Sequence, residues 1–188
     1  HEEKQIYKNK ILNISDKKIV KKLNIKKKKI TKKKQDYIQN KLILNEILVK
    51  PKPLNFCGIS IDTRTIKKNN LFLAIKGKNN DGNRFINDAI KKGAGCIVTS
   101  SIAMENNKKI IREKKPISFL YRFAKLKRER TLAKIITITG SAGKTSLKDL
   151  VKDILENFGK AYSSPKSFNN HLGVPISLSN LSFNEKFG

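Results

Sequence analysis

The feature that most restricts this chain is the junction at residues 134–158. Lys134 to Thr139 reads K-I-I-T-I-T, a β-branched run. Thr139 to Ser146 then reads T-G-S-A-G-K-T-S, and Thr145 to Phe158 carries apolar residues at 147, 150, 151, 154, 155 and 158. The first stretch predicts a buried parallel strand, and the third, with its i, i+3, i+4, i+7 spacing, predicts a helix that Gly159 can cap. A Gly-rich turn between a strand and a helix is a place where backbone N–H groups can converge on an anion. Glycines at 140 and 143 permit that turn, and the helix directs its positive end to the same point. Lys144 supplies a mobile positive charge for the β- and γ-phosphates of a nucleotide, and Thr145 a hydroxyl for Mg²⁺. The general P-loop spacing is not kept, because Ile138 stands where its first glycine would be. A turn with no ligand would not require Lys and then Thr after the second glycine.

Upstream, residues 41 to 114 have the composition of a small α/β unit. Leu42, Ile43, Ile47 and Leu48 predict a short helix stopped by Pro51 and Pro53; Phe56, Ile59, Ile61 and Leu71–Ile75 predict strands. Arg84 to Lys92 puts Phe85, Ala89 and Ile90 on one helical face ending at Gly93, and Cys96–Thr99 reads as a short buried strand. Pro116 suits the first turn of a further helix with an apolar stripe of Ile117, Leu120, Phe123, Ala124 and Leu126. The basic cluster Lys125, Lys127, Arg128 and Arg130 near its end then complements the helix dipole.

Charge alone names a different class of partner. The 188 residues hold 42 Lys plus Arg against 15 Asp plus Glu, a formal charge of +27, which would suit nucleic acid or an anionic surface. Only six of the basic residues are Arg, the side chain that base edges and bidentate phosphate contacts favour, and abundant Lys, Asn and Ile together suggest an AT-rich coding background. Residues 21–34 hold nine Lys with three larger apolar groups, too few to offset the cost of ordering, so residues 25–40 are expected to be a solvated linker. No apolar run reaches the roughly 18 residues of a membrane helix, and the start lacks the order of a secretory signal, so a cytoplasmic protein without membrane contact is expected. Cys57 and Cys96 match no metal or redox spacing and read as free thiols.

The stretch G-S-A-G-K-T-S resembles the ATP loop of the Mur ligases and their folylpolyglutamate synthase relatives. Ser60-Ile61-Asp62-Thr63-Arg64, Asn70–Gly77, Asp81-Gly82, Phe85-Ile86, Ala89 and Gly93-Ala94 are similar to the N-terminal UDP-binding domain of the Mur ligases that add the third peptide residue and the terminal D-alanyl-D-alanine. Thr63 departs from the usual Ser of the family's Asp-Ser-Arg triplet but keeps the hydroxyl. Ser167 to Pro175 resembles the dipeptide-adding member. Residues 1–24, with His1-Glu2-Glu3-Lys4-Gln5-Ile6 and Ser15-Asp16, are similar to the C-terminal end of the third-residue ligase, which suggests a piece of a fusion of the two ligases.

The resemblance implies an α/β chain: a remnant at 1–24, the linker at 25–40, a UDP-substrate domain at 41–114, and the truncated start of a P-loop parallel-sheet ATPase domain at 115–188. It implies an ATP- and Mg²⁺-dependent amide ligase of peptidoglycan precursor synthesis, acting as a monomer on UDP-N-acetylmuramoyl-tripeptide and D-alanyl-D-alanine through an acyl phosphate. Gly140, Ser141, Ala142, Gly143, Lys144, Thr145 and Ser146 would bind ATP, Lys144 being catalytic and Thr145 a metal ligand. Thr63, Arg64, Asn169, Asn170 and Glu2 would bind substrates. The family's Mg²⁺-binding Glu, modified Lys and C-terminal domain have no counterpart before Gly188, so the chain as given is expected not to catalyse ligation. The alternatives are a third-residue or folylpolyglutamate-synthase-like ligase, or a basic nucleic-acid-binding module.

Overall fold

A computed structural model describes residues 32–77, 80–102, 107–165 and 170–188. The expectations for residues 1–24, including Glu2, for 25–31 of the linker, and for Asn169 lie outside the described residues.

Local sequence sets the first module. Helix α1 spans Lys32–Ile47 and is followed by β1 (Ile59–Ser60) and β2 (Leu71–Leu73). A 3₁₀ turn (Gly82–Phe85) then leads into α2 (Ile86–Lys91), β3 (Cys96–Thr99), β4 (Ile110–Arg112) and α3 (Pro116–Arg130). The four strands form one parallel sheet in the order β1-β2-β3-β4. Alternation decides which side chain goes where. Leu71, Leu73, Cys96, Val98 and Ile111 face α1 and α3, packing with Ile43, Leu44, Phe56, Phe119, Leu120 and Phe123. Phe72, Ala74, Ile97 and Ile110 face the other way, onto Ile86 and Ala89 of α2. A sheet covered on both faces needs near-continuous apolar strands, and these short runs supply them.

Two stretches differ from the expected layout. Residues 32–40 are helical and extend the expected short helix by about two and a half turns, because Ile43 and Leu44 of the same helix are fully buried against the sheet and Asn40 reaches the Phe56 carbonyl at 3.2 Å. Tertiary packing thus stabilises lysine-rich turns that local propensity would leave frayed. Phe85, expected on the buried face of its helix, is 46% exposed, since the 3₁₀ turn rotates it out while Ile86 takes the inner position.

The second module contains α4 (Lys144–Glu156) and α5 (Gly173–Asn180). Residues 134–139 are not the expected buried strand: they are extended, with a single parallel bridge from Lys134 to Phe187, and Ile136 is 44% exposed. Phe187 also bridges Ala161 in parallel, so 186–188 lies between 134–136 and 160–162. This is the start of a parallel ladder, and a cavity separates it from α4. Accordingly α4, the most amphipathic helix of the chain, has no buried residue. Instead α5 packs on α3 and β1, and Ile176 joins the core of the first module.

Candidate active site around the phosphate loop

The loop before α4 has the backbone that its glycines predict. Gly143 is the N-cap residue at φ 72°, ψ −3°, and Gly140 has φ 152°. A Cβ at Gly143 would meet nothing within 4 Å, so the requirement for glycine there is conformational and not steric. The first turn of α4 holds no acidic residue and no side chain caps it. Its first amides therefore point outward at the positive end of the helix, the arrangement that accepts an anion. Lys144 Nζ donates to the carbonyls of Gly140 and, at 3.1 Å, Ser141, so its ammonium lies over the loop where phosphate oxygens would compete for it.

A cavity of about 600 Å³ opens beside this loop. It is lined by residues 141–146, by Val151, Lys152 and Leu155 of α4, and by Ser163, Ser164, Val174 and Ser177. Lys148 Nζ, also in the lining, donates to the Ser164 carbonyl at 3.0 Å. Among the described lining residues the polar side chains are hydroxyls and lysines, with no Asp or Glu, a composition that suits an anion. Among the described residues no group of three His, Cys, Asp or Glu could hold a metal. Thr145, at the loop, is the one expected metal ligand.

A second cavity, of about 700 Å³, lies beyond the C-terminal end of β2, lined by Ile75, Lys76, Gly77, Ile117, His171 and Leu172. Lys76 and His171 are not among the expected site residues, although both stand inside the stretches 70–77 and 167–175 that resemble the family. The signal available was the rule that ligands of open parallel sheets bind beyond the carboxyl ends of the strands.

The remaining expected site residues fall elsewhere. Thr63 follows β1 and is buried; its hydroxyl donates to Asp88, which holds that carboxyl below its ordinary range with help from Lys92. Lys92 Nζ also donates to the Thr63 carbonyl at 2.9 Å. Arg64 is 86% exposed and forms a forked pair with Asp62, Nη2 to Oδ2 being 2.8 Å. Neither Thr63 nor Arg64 is in the described lining of either cavity. Asn170 accepts from the backbone N–H of Leu172 at 3.1 Å and Gly173 at 2.7 Å, so its carbonyl oxygen caps the start of α5. Lys127, one of the basic residues expected to complement the helix dipole, is 2% exposed. Its ammonium donates to Asn40 Oδ1 at 3.0 Å and stands 3.8 Å from the centroid of the Phe183 ring. The thiols Cys57 and Cys96 are free.

Residues 55–129 match the Mur ligase family, catalytic domain, and residues 138–187 match the Mur ligase middle domain. A UDP-N-acetylmuramoyl-tripeptide–D-alanyl-D-alanine ligase of Buchnera aphidicola subspecies Baizongia pistaciae is 40% identical over 132 residues, covering 69% of this chain and 28% of that protein. The crystal structure of the Thermotoga maritima MurF ligase in complex with ADP is similar at a TM-score of 0.54 and 28% identity, over 69% of this chain and 30% of that one. Crystal structure I of MurF from Acinetobacter baumannii is similar in fold, with a TM-score of 0.64 at 22% identity over 80% of this chain and 34% of that one. The chain thus spans about a third of the length of these relatives.

Proposed function

The chain belongs to the Mur ligase family, and from that premise we propose that its phosphate loop binds ATP in the service of amide ligation to a peptidoglycan precursor. The observation that carries the reading is the left-handed Gly143 ahead of an uncapped, acid-free first helical turn, with Lys144 over the loop and a cavity beside it whose described lining has no acidic side chain. In the proposed reaction the terminal carboxylate of UDP-N-acetylmuramoyl-tripeptide attacks the γ-phosphorus and ADP leaves. The amine of D-alanyl-D-alanine then adds to the resulting acyl phosphate, and phosphate departs with formation of the amide.

Each step concentrates negative charge, so the contribution of this chain is electrostatic. The outward amides of the first α4 turn hold the phosphates, and Lys144 moves from the Gly140 and Ser141 carbonyls to the transferring group. Thr145 fits one position on Mg²⁺, an ion that usually keeps waters and substrate phosphates as its other ligands and, when bound, neutralises phosphate charge. Lys76 and His171 suit the cavity beyond β2 to the sugar-nucleotide substrate. Asn170 would serve it through placement of α5, while Thr63 and Arg64 would act on the UDP portion only through the loop they stabilise.

Calorimetric titration of the 188-residue chain with Mg-ATP tests the reading. Binding is expected in the wild type, with an affinity about 10- to 100-fold lower in Lys144→Ala, the loss of one charge-assisted contact. No binding, or an unchanged affinity in the variant, would overturn it. With no acidic side chain among the described residues lining the loop cavity, we also propose that this chain binds nucleotide without completing ligation. Product formed from ATP, Mg²⁺, tripeptide and dipeptide would refute that part alone.

A further inference from the structure

Helix α5 and the turn that leads into it border both cavities. His171 and Leu172, in that turn, line the cavity beyond β2, while Val174, Ser177 and Leu178 of the helix line the one beside the phosphate loop. Its place is set from the first module at both ends. Tyr121 of α3 donates its hydroxyl to the His171 carbonyl at 2.9 Å. At the far end Asn180 does more.

Ile59 belongs to the edge strand β1. Its N–H and C=O face away from β2, because the Leu71 amide pairs with Gly58 on the other side. The Asn180 amide satisfies both: Oδ1 accepts from Ile59 N at 2.9 Å and Nδ2 donates to Ile59 O at 2.9 Å. Nδ2 also donates to the Ile176 carbonyl within α5, again at 2.9 Å. A side-chain amide has the donor and acceptor geometry of a peptide unit, so Asn180 continues the sheet by one unit and fixes α5 to it. Gly58 leaves it room, since a Cβ there would lie 2.6 Å from Asn180 Oδ1. Beyond Asn180 the chain is held again, with Asp36 accepting from Ser182 Oγ at 2.7 Å and Phe183 N at 2.9 Å. It then runs into 186–188, which pairs with 134–136 just before the phosphate loop.

We propose that Asn180 is a positioning residue that couples the two cavities, so that occupancy of the phosphate-loop cavity changes affinity in the cavity beyond β2, and the reverse. The proposal rests on the nucleotide reading of the loop and adds linkage between its two ligands. A ligand seated against one face of α5 orders the wall of the other cavity, and the second ligand then meets a wall already placed. Reciprocity requires the same factor in both directions.

Titrations of the 188-residue chain with Mg-ADP and with UDP-N-acetylmuramoyl-tripeptide, each alone and with the other saturating, read the coupling. The wild type should show about a fivefold or larger change, equal in both directions. Asn180→Asp is isosteric but cannot donate and sets a carboxylate against the Ile59 carbonyl; it should bring the coupling factor close to one while each ligand still binds. Gly58→Ala, which crowds the same contact from the β1 side, should do likewise. A wild type without coupling, a tripeptide that does not bind it, or an Asn180→Asp variant with wild-type coupling would each overturn the proposal. Failure of Mg-ADP to bind would instead remove the nucleotide reading. Hydrogen exchange then still decides the positioning role: Asn180→Asp should speed exchange at Ile59, across α5 and at Ile136 but not at Ile97, and unchanged exchange in α5 would refute it.

Discussion

Lys127 shows what a single buried charge does to the balance of this fold. Burial lowers its pKa to about 8, against the opposing influence of Asp36 and Glu185. Glu185 is itself pushed up by burial. For Lys127 the unfolded chain holds its proton up to the ordinary lysine range, whereas the folded chain releases it near pH 8. Stability therefore rises with pH across that window, by about 3 kcal/mol at most. Urea midpoints measured from pH 7 to 10 should increase in the wild type, and Lys127→Met should remove that increase. Glu185 works in the opposite sense, its effect being lost as pH rises through its raised pKa. At the phosphate loop Gly143→Ala should cost about 1 to 2 kcal/mol, all of it from φ, and Gly143→Asn less, because Asn tolerates the left-handed region. Thermal melts of the two variants check this order.

At the scale of elements, α4 and the strands carry opposite energetics. The helix keeps Leu147, Leu150 and Ile154 between 47% and 57% exposed, so replacing Leu150 by Gln should change stability by less than about 0.5 kcal/mol. Phe123→Ala, in a residue that packs against Phe56 and Phe119 and is fully buried, should cost about 3 to 5 kcal/mol. Chemical denaturation of both variants separates the cases. The boundaries of α3 and the location of the Gly-loop turn were legible in sequence because Pro116, the apolar stripe and the paired glycines act within a few residues. The periodicity of 145–158 revealed a helix but not its burial, and the β-branched run at 134–139 revealed extended chain but not its exposure. Burial depends on neighbours from other parts of the chain, which a local pattern does not contain. The helical start of α1 escaped for the converse reason, since its lysines carry no stripe and its order comes from Asn40, Ile43 and Leu44 docking on the sheet.

Over the whole molecule the charge of +27 is spent on several unrelated tasks. Lys52 covers the outer β4 edge through the Ile110 carbonyl at 2.6 Å, Lys92 ties the loop after β1, Lys127 is interior and Lys144 lies at the phosphate loop. Binding to duplex DNA is accordingly expected to be nonspecific and to fall steeply between 50 and 200 mM salt, a dependence that filter binding at several salt concentrations measures. Sequence by itself determined the phosphate loop, the α/β class and the family likeness, because each rests on residues adjacent in the chain whose backbone and chemistry are local. Only the tertiary structure decided that Thr63 turns its hydroxyl to Asp88, that Lys127 is interior, and that α5 with the turn before it borders two cavities while Asn180 completes the edge of β1. Those facts join residues up to 121 positions apart, and such pairings follow from how apolar faces and unpaired backbone groups find partners across the fold.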